Sequence, residues 1–147
     1  MKMTLKQHVD YWLKLSNDSL LDMRAAYRSG RRTNALFCGH LAVEKMLKAF
    51  CAVRFVPAQN IWGHSLFKLA SIAGLWEQFS ATQQTELATI TTFNIEARYD
   101  DYKRHFAQLC TPPFTKQWVA VIETWYSNLK QQILMERALL PNNVSAG

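Results

Sequence analysis

Residues 32–54 read RTNALFCGHLAVEKMLKAFCAVR, and the fold turns on where the apolar side chains of this stretch fall. Ala35, Phe37, Cys38, Leu41, Ala42, Leu47 and Ala49 cover most of the circumference of a helix. A helix that is apolar nearly all round is packed among others rather than laid on a surface, so the stretch predicts a central helix. Its polar exceptions, His40, Glu44 and Lys48, recur every four residues and form one line, with Glu44 N-terminal to Lys48 in the favourable order. Two readings of that line stand open. One is an exposed ion pair contributing about 0.3–0.5 kcal/mol; the other is a carboxylate facing a functional groove.

Working outward, Thr4 and Gln7 have the spacing of a capping box. Leu5, Val9, Trp12, Leu13, Ser16, Leu20, Met23 and Tyr27 then recur at intervals of three and four, so a single stripe crosses the polar patch at 16–19 without changing phase. One long helix is expected there, closed by Gly30 in the left-handed conformation. On the other side, Pro57 and Gly63 mark a loop, and His64, Ser65 and Leu66 open a short helix that Gly74 ends. A second capping box, Ser80 with Gln83, launches a fourth helix through Leu87, Ile90 and Phe93 into residues 94–106. Thr111, Pro112 and Pro113 break the chain, because each proline disfavours helical geometry at the residue before it. Thr115 is expected to cap a last helix striped by Trp118, Val121, Ile122, Trp125, Leu129 and Ile133. No stretch alternates with period two between hairpin turns. The expectation is an all-α, up-and-down antiparallel bundle of about five helices, one domain over residues 1–140 with 141–147 as a frayed tail.

With 147 residues, 49% of them apolar, and five tryptophans, the chain can bury roughly two thirds of the surface it exposes when unfolded. It needs no disulfide or metal to fold. The apolar run at 49–53 is as long as any and falls far short of the roughly 20 residues that span a bilayer, which points to a soluble, cytoplasmic protein without a membrane partner. Cys38, Cys51 and Cys110 form no C-x-x-C pair and suit a reducing compartment. On one helix, Cys38 and Cys51 would lie about 20 Å apart, beyond the reach of a disulfide. His8, His40, His64 and His105 have no neighbouring ligand at metal-site spacing, and there is no Gly-rich phosphate loop or nucleophile elbow. No metal and no cofactor are expected. A net charge of +6 favours an anionic partner such as RNA or a nucleotide, and equally suits plain solubility.

Charge is densest in residues 94–106, NIEARYDDYKRHF, where Arg98 and His105 stand with six residues between them. Taken together, HLAVEKMLKAF (residues 40–50), HSL (64–66) and FNIEARYDDYK (93–103) resemble the HEPN family, named for nucleotide-binding domains of higher eukaryotes and prokaryotes. The resemblance runs from about residue 6 to residue 132. It implies an all-α bundle that forms a homodimer. It also implies metal-independent RNA cleavage by Arg98 and His105, which match the family's arginine and histidine motif at its longest spacing. Glu44, Lys48, His64 and Tyr99 are the residues placed to support that site or to bind the nucleotide or RNA. A nucleotidyltransferase antitoxin is the partner implied for toxin members. The residue types fit the chemistry: a neutral imidazole can take the proton of a ribose 2′-hydroxyl, and a permanently charged guanidinium can stabilise charge developing on a phosphoryl group.

The match has two departures. Active members commonly carry a small polar or acidic residue after the arginine, where this chain has Tyr99. Some toxins carry a tyrosine two residues beyond the histidine that the antitoxin modifies with AMP, where this chain has Ala107. Without catalysis, Arg98 would bond the last carbonyls of a helix, Asp100 and Asp101 would pair with Lys103 and Arg104 in water, and His105 would be partly buried beside Phe106. The same residues could instead form a non-catalytic anion or nucleotide site. If successive helices alternate in direction, Arg28, Arg31 and Arg32 lie at one end of the bundle and residues 94–105 near the other, close to His64. A helix of about 23 residues would put roughly 35 Å between them.

Overall fold

The computed structural model describes residues 2–96 and 98–147 of the chain. Its elements are α1 (Leu5–Arg28), α2 (Arg32–Val53), α3 (Leu66–Ile72), α4 (Ala81–Thr91), α5 (Asp100–Leu109) and α6 (Pro112–Ala138). Thr4 caps α1 through a reciprocal box with Gln7, and Ser80 does the same for α4 with Gln83, so each box satisfies two amides that the helix would otherwise orphan. Gly30, at φ 75°, closes α1. The Arg31 amide reaches back to the Ala26 carbonyl and the Gly30 amide to that of Tyr27, the pairing that a left-handed residue past a helix end makes possible.

α1, α2, α4 and α6 form an up-down-up-down bundle, an all-α architecture of the kind expected. α1 runs antiparallel to α2, to which Ser16 and Lys45 tie it: the Ser16 hydroxyl donates to the Ala42 carbonyl at 2.6 Å and Lys45 Nζ to Ser19 Oγ at 2.9 Å. α6 runs alongside α2 in the same direction. Its Ile122 packs on Gly39 near the start of α2, and its Glu136 pairs with Arg54 just past the end. α4 returns antiparallel to α6, with Glu86 beside Trp125 and Phe93 against Trp118. α2 is buried along most of its length. It is the central helix that its composition dictates.

Three local expectations change. α4 stops at Thr91, and α5 is a separate short helix. α6 is capped by Thr111, whose side chain accepts from the Phe114 amide, with Pro112 and Pro113 in the first turn. Prolines fit there because their missing N–H groups have no partner to lose; Thr115 is buried inside the helix. The tail expected to fray is held: Leu5 donates to the Val144 carbonyl, Ala146 to that of Met3 and Ala58 to that of Ala146, while Leu140 and Ala146 are buried. Among the described residues, no helix is long and apolar enough to cross a membrane.

Candidate functional site

α5 carries His105, and Arg98 lies two residues before its start. Tyr99 precedes it as the N-cap and makes no side-chain cap bond, while Asp100 and Asp101 occupy the first turn, where the helix dipole favours negative charge. Phe106 is its one fully buried side chain, packed on Phe93 with ring centroids 5.5 Å apart. The Tyr102 hydroxyl donates to the Thr92 carbonyl at 2.6 Å, which fastens the first turn of α5 to the end of α4. Arg98 folds back over the face of the Tyr102 ring, with its guanidinium carbon 4.8 Å from the centroid, and its Nε donates to the Asn94 carbonyl at 3.4 Å. His105 is exposed, not partly buried. It lies three residues beyond Tyr102 and about 60° round the helix from it, a neighbouring position on the helix surface. Tyr102 therefore holds Arg98 at the first turn of α5, the helix that carries His105. The Arg98–Tyr102 spacing of four residues was the signal for this role, and the sequence reading did not use it.

Tyr99 is 90% exposed. Asp101 pairs with Arg104, and both side chains are largely exposed.

The arginine cluster sits at the same end of the bundle as α5, contrary to the alternating-helix expectation. Arg32 Nε donates to the Cys110 carbonyl at 2.5 Å. Arg31, Arg32, Asn34 and Ala107 line a hollow of about 450 Å³ between the start of α2 and the end of α5. Ala107 is about 160° round α5 from His105, so the cluster and the histidine occupy opposite flanks of one helix.

The supporting residues Glu44, Lys48 and His64 form a different constellation. Neither Glu44 nor Lys48 is exposed, which removes the reading of a surface ion pair. Both are buried, with Lys48 Nζ 3.3 Å from Glu44 Oε2. Glu44 Oε1 accepts from His64 Nδ1 at 2.9 Å, and His64 is the one member open to solvent, its side chain 69% exposed. Behind Lys48 lies the Trp12 ring, 5.0 Å from Nζ, whose indole N–H donates to His8 Nε2 at 2.9 Å. That bond requires an unprotonated His8 Nε2, in keeping with burial that pushes the His8 pKa down. His40, one turn before Glu44, is fully buried, and neither of its ring nitrogens has a hydrogen bond of ordinary geometry. Burial drives its pKa down to about 4 against the opposing pull of the Glu44 carboxylate. Sequence reasoning set His40 on this line but missed the parts of His8 and Trp12, because nothing in the spacing links α1 to it.

Glu44 stands twelve residues after Arg32, about 18 Å along α2. Within one chain, Glu44, Lys48 and His64 thus form one group, and Arg98, Tyr99 and His105 another. Cys38, Cys51 and Cys110 are free and buried, with burial raising all three thiol pKa values and taking Cys51 to about 12. Among the described residues, no three His, Cys, Asp or Glu side chains are placed to hold a metal ion.

The class is that of an all-α antiparallel bundle, with an exposed arginine just before its short penultimate helix and an exposed histidine on it. The HEPN domain profile matches residues 9–126, most of the chain, and the chain belongs to the HEPN domain family. No curated protein and no solved structure gives a significant match.

Proposed function

We propose that the chain is a metal-independent endoribonuclease, the toxin half of a pair whose antitoxin is a nucleotidyltransferase. What supports this reading is that Tyr102 holds Arg98 at the first turn of the helix that carries His105, with both side chains open to solvent. His105 takes the proton of a ribose 2′-hydroxyl as that oxygen attacks the adjacent phosphorus. The bond from phosphorus to the 5′ oxygen breaks, leaving a 2′,3′-cyclic phosphate, and the departing oxygen takes a proton from an acid. Arg98 stabilises the charge on the phosphoryl oxygens. A second copy of the chain, joined as a homodimer, brings a second His105 to serve as that acid.

The test is cleavage of single-stranded RNA by the purified protein in EDTA. His105→Ala is expected to lower the rate by about 10²–10⁴-fold and Arg98→Ala by about 10²–10³-fold. Arg98→Lys should rescue little, since a point charge does not reproduce the forked, stacked guanidinium. Equal cleavage by wild type and His105→Ala would end the proposal.

Tyr99 favours a second reading. A large aromatic, 90% exposed beside Arg98, suits a surface that a partner covers, and the chain would then be a non-catalytic module that binds a nucleotide or docks on a nucleotidyltransferase. Growth arrest on expression of the chain alone, lost in Arg98→Ala, supports the nuclease. Absence of arrest, together with a nucleotidyltransferase complex weakened by Tyr99→Ala, supports the module.

A further inference from the structure

At the end of α2 remote from Arg32, the bundle opens into a hollow of about 540 Å³ between α2, α4 and α6. Its size falls in the range of small-molecule sites, which run from about 300 to 1,000 Å³. Phe50, Leu75, Phe79 and Trp125 contribute an apolar and largely aromatic lining, with the Phe79 and Trp125 rings edge to face at 5.1 Å. Two charged side chains reach it, Arg54 and Glu86, and their situations differ.

The charge of Arg54 is already matched. Its Nε and Nη2 donate to the two carboxylate oxygens of Glu136 at 2.5 and 3.1 Å, and its Nη1 donates to the Ala73 carbonyl. Among the described residues, Glu86 makes no ion pair. Its Oε1 accepts from the Trp125 indole N–H at 3.2 Å, and among the described residues nothing donates to Oε2. The hollow thus pairs an aromatic wall with an unmatched carboxylate, in a chain whose net charge is +6. An anionic ligand meets a like charge there. A cation gains a charge-assisted hydrogen bond to Glu86 and the attraction of the ring faces.

We propose that this hollow binds a small planar molecule bearing an ammonium or comparable cationic donor, with its ring against Phe79 and Trp125 and its cation on Glu86 Oε2. The site is separate from the α5 flank and opposite in preference, since RNA would be held by cations at one end of the bundle and this ligand by a carboxylate toward the other.

Tryptamine and indole-3-acetate, which share a ring and differ in the sign of the pendant charge, are the probes. Labelled protein is titrated with each while the indole N–H resonance of Trp125, assigned from Trp125→Phe, is followed. Tryptamine is expected to shift that resonance saturably, at a half-saturation concentration about tenfold below that of indole-3-acetate, a difference of the size one matched charge supplies. Glu86→Gln keeps the shape and the acceptor for Trp125, and should abolish the preference while the remaining spectrum stays native. Thr124→Trp, which fills the hollow from its rim, should abolish both titrations. Equal or stronger binding of indole-3-acetate, a preference that survives in Glu86→Gln, or no saturable shift with either probe overturns the assignment.

Discussion

Two ion pairs of the same kind in sequence end in opposite environments. Glu44 and Lys48 on α2, four residues apart, are both buried, while Asp101 and Arg104 on α5, three apart, are both in water. The spacing cannot separate them. What does is the rest of each helix: α2 is apolar nearly all round and has helices on every side, whereas α5 buries only Phe106 fully. A charged pair on a central helix has no outside to face, so it must be satisfied internally, as Glu44 is by Lys48 and His64. The exposed pair contributes little to stability. The buried pair is costly to break, because removing one partner strands the other charge away from water.

Breaking the buried member gives the largest effect. Glu44→Ala is expected to lower the unfolding free energy by about 3–5 kcal/mol, seen as an earlier urea midpoint; an unchanged midpoint would mean that Lys48 finds water. Acid tests the same region. His40 is held neutral in the folded chain with a pKa of about 4, below its unfolded value of about 6.5, so the unfolded chain binds the extra proton. The contribution of this histidine is expected to be present in full above about pH 6.5 and to be lost as pH falls toward 4, a change of about 3 kcal/mol. Urea unfolding across that window measures the slope, and His40→Leu should flatten it.

The close packing that leaves α2 without a solvent face can be probed at Gly39. A Cβ there would lie 2.6 Å from Ile122 Cδ1 and 2.9 Å from Met23 Sδ. Both are side-chain ends that can shift, so Gly39→Ala should cost about 1 kcal/mol, the low end for overpacking, read from thermal melts. On α5 the smallest effects are expected. Asp101→Ala and His105→Ala should each change stability by no more than about 0.5 kcal/mol, and for His105→Ala this would separate lost RNA cleavage from lost fold.

Much of the architecture was legible. Thr4 with Gln7, Ser80 with Gln83, and Gly30 are local devices whose chemistry works within one turn, so the sequence states them outright. The ends of the bundle were not legible, and α3 is the reason. Counted as a full traverse, it puts residues 94–105 beside His64. With seven residues, it advances only about 10 Å, so the chain stays near the far end of α2 until α4 carries it back. That reverses the parity and sets Arg32 on the Cys110 carbonyl. The position of the pair Arg98 and His105 along the sequence was plain, but Arg98 rests on Tyr102, whose anchor on Thr92 is a tertiary bond that no motif records.

α5 is attached by Phe106 on Phe93, by the Tyr102 hydroxyl on Thr92 and by Arg32 on Cys110, fastenings that lie at its two ends and along one stripe. A ten-residue helix with so little buried can open locally while the longer helices stay closed. In hydrogen exchange its amides should therefore outrun those of α2 by a wide margin. In engineering terms the bundle is a chassis and α5 a cartridge: its exposed positions can be rewritten as long as Tyr102, Phe106 and the Cys110 carbonyl still engage.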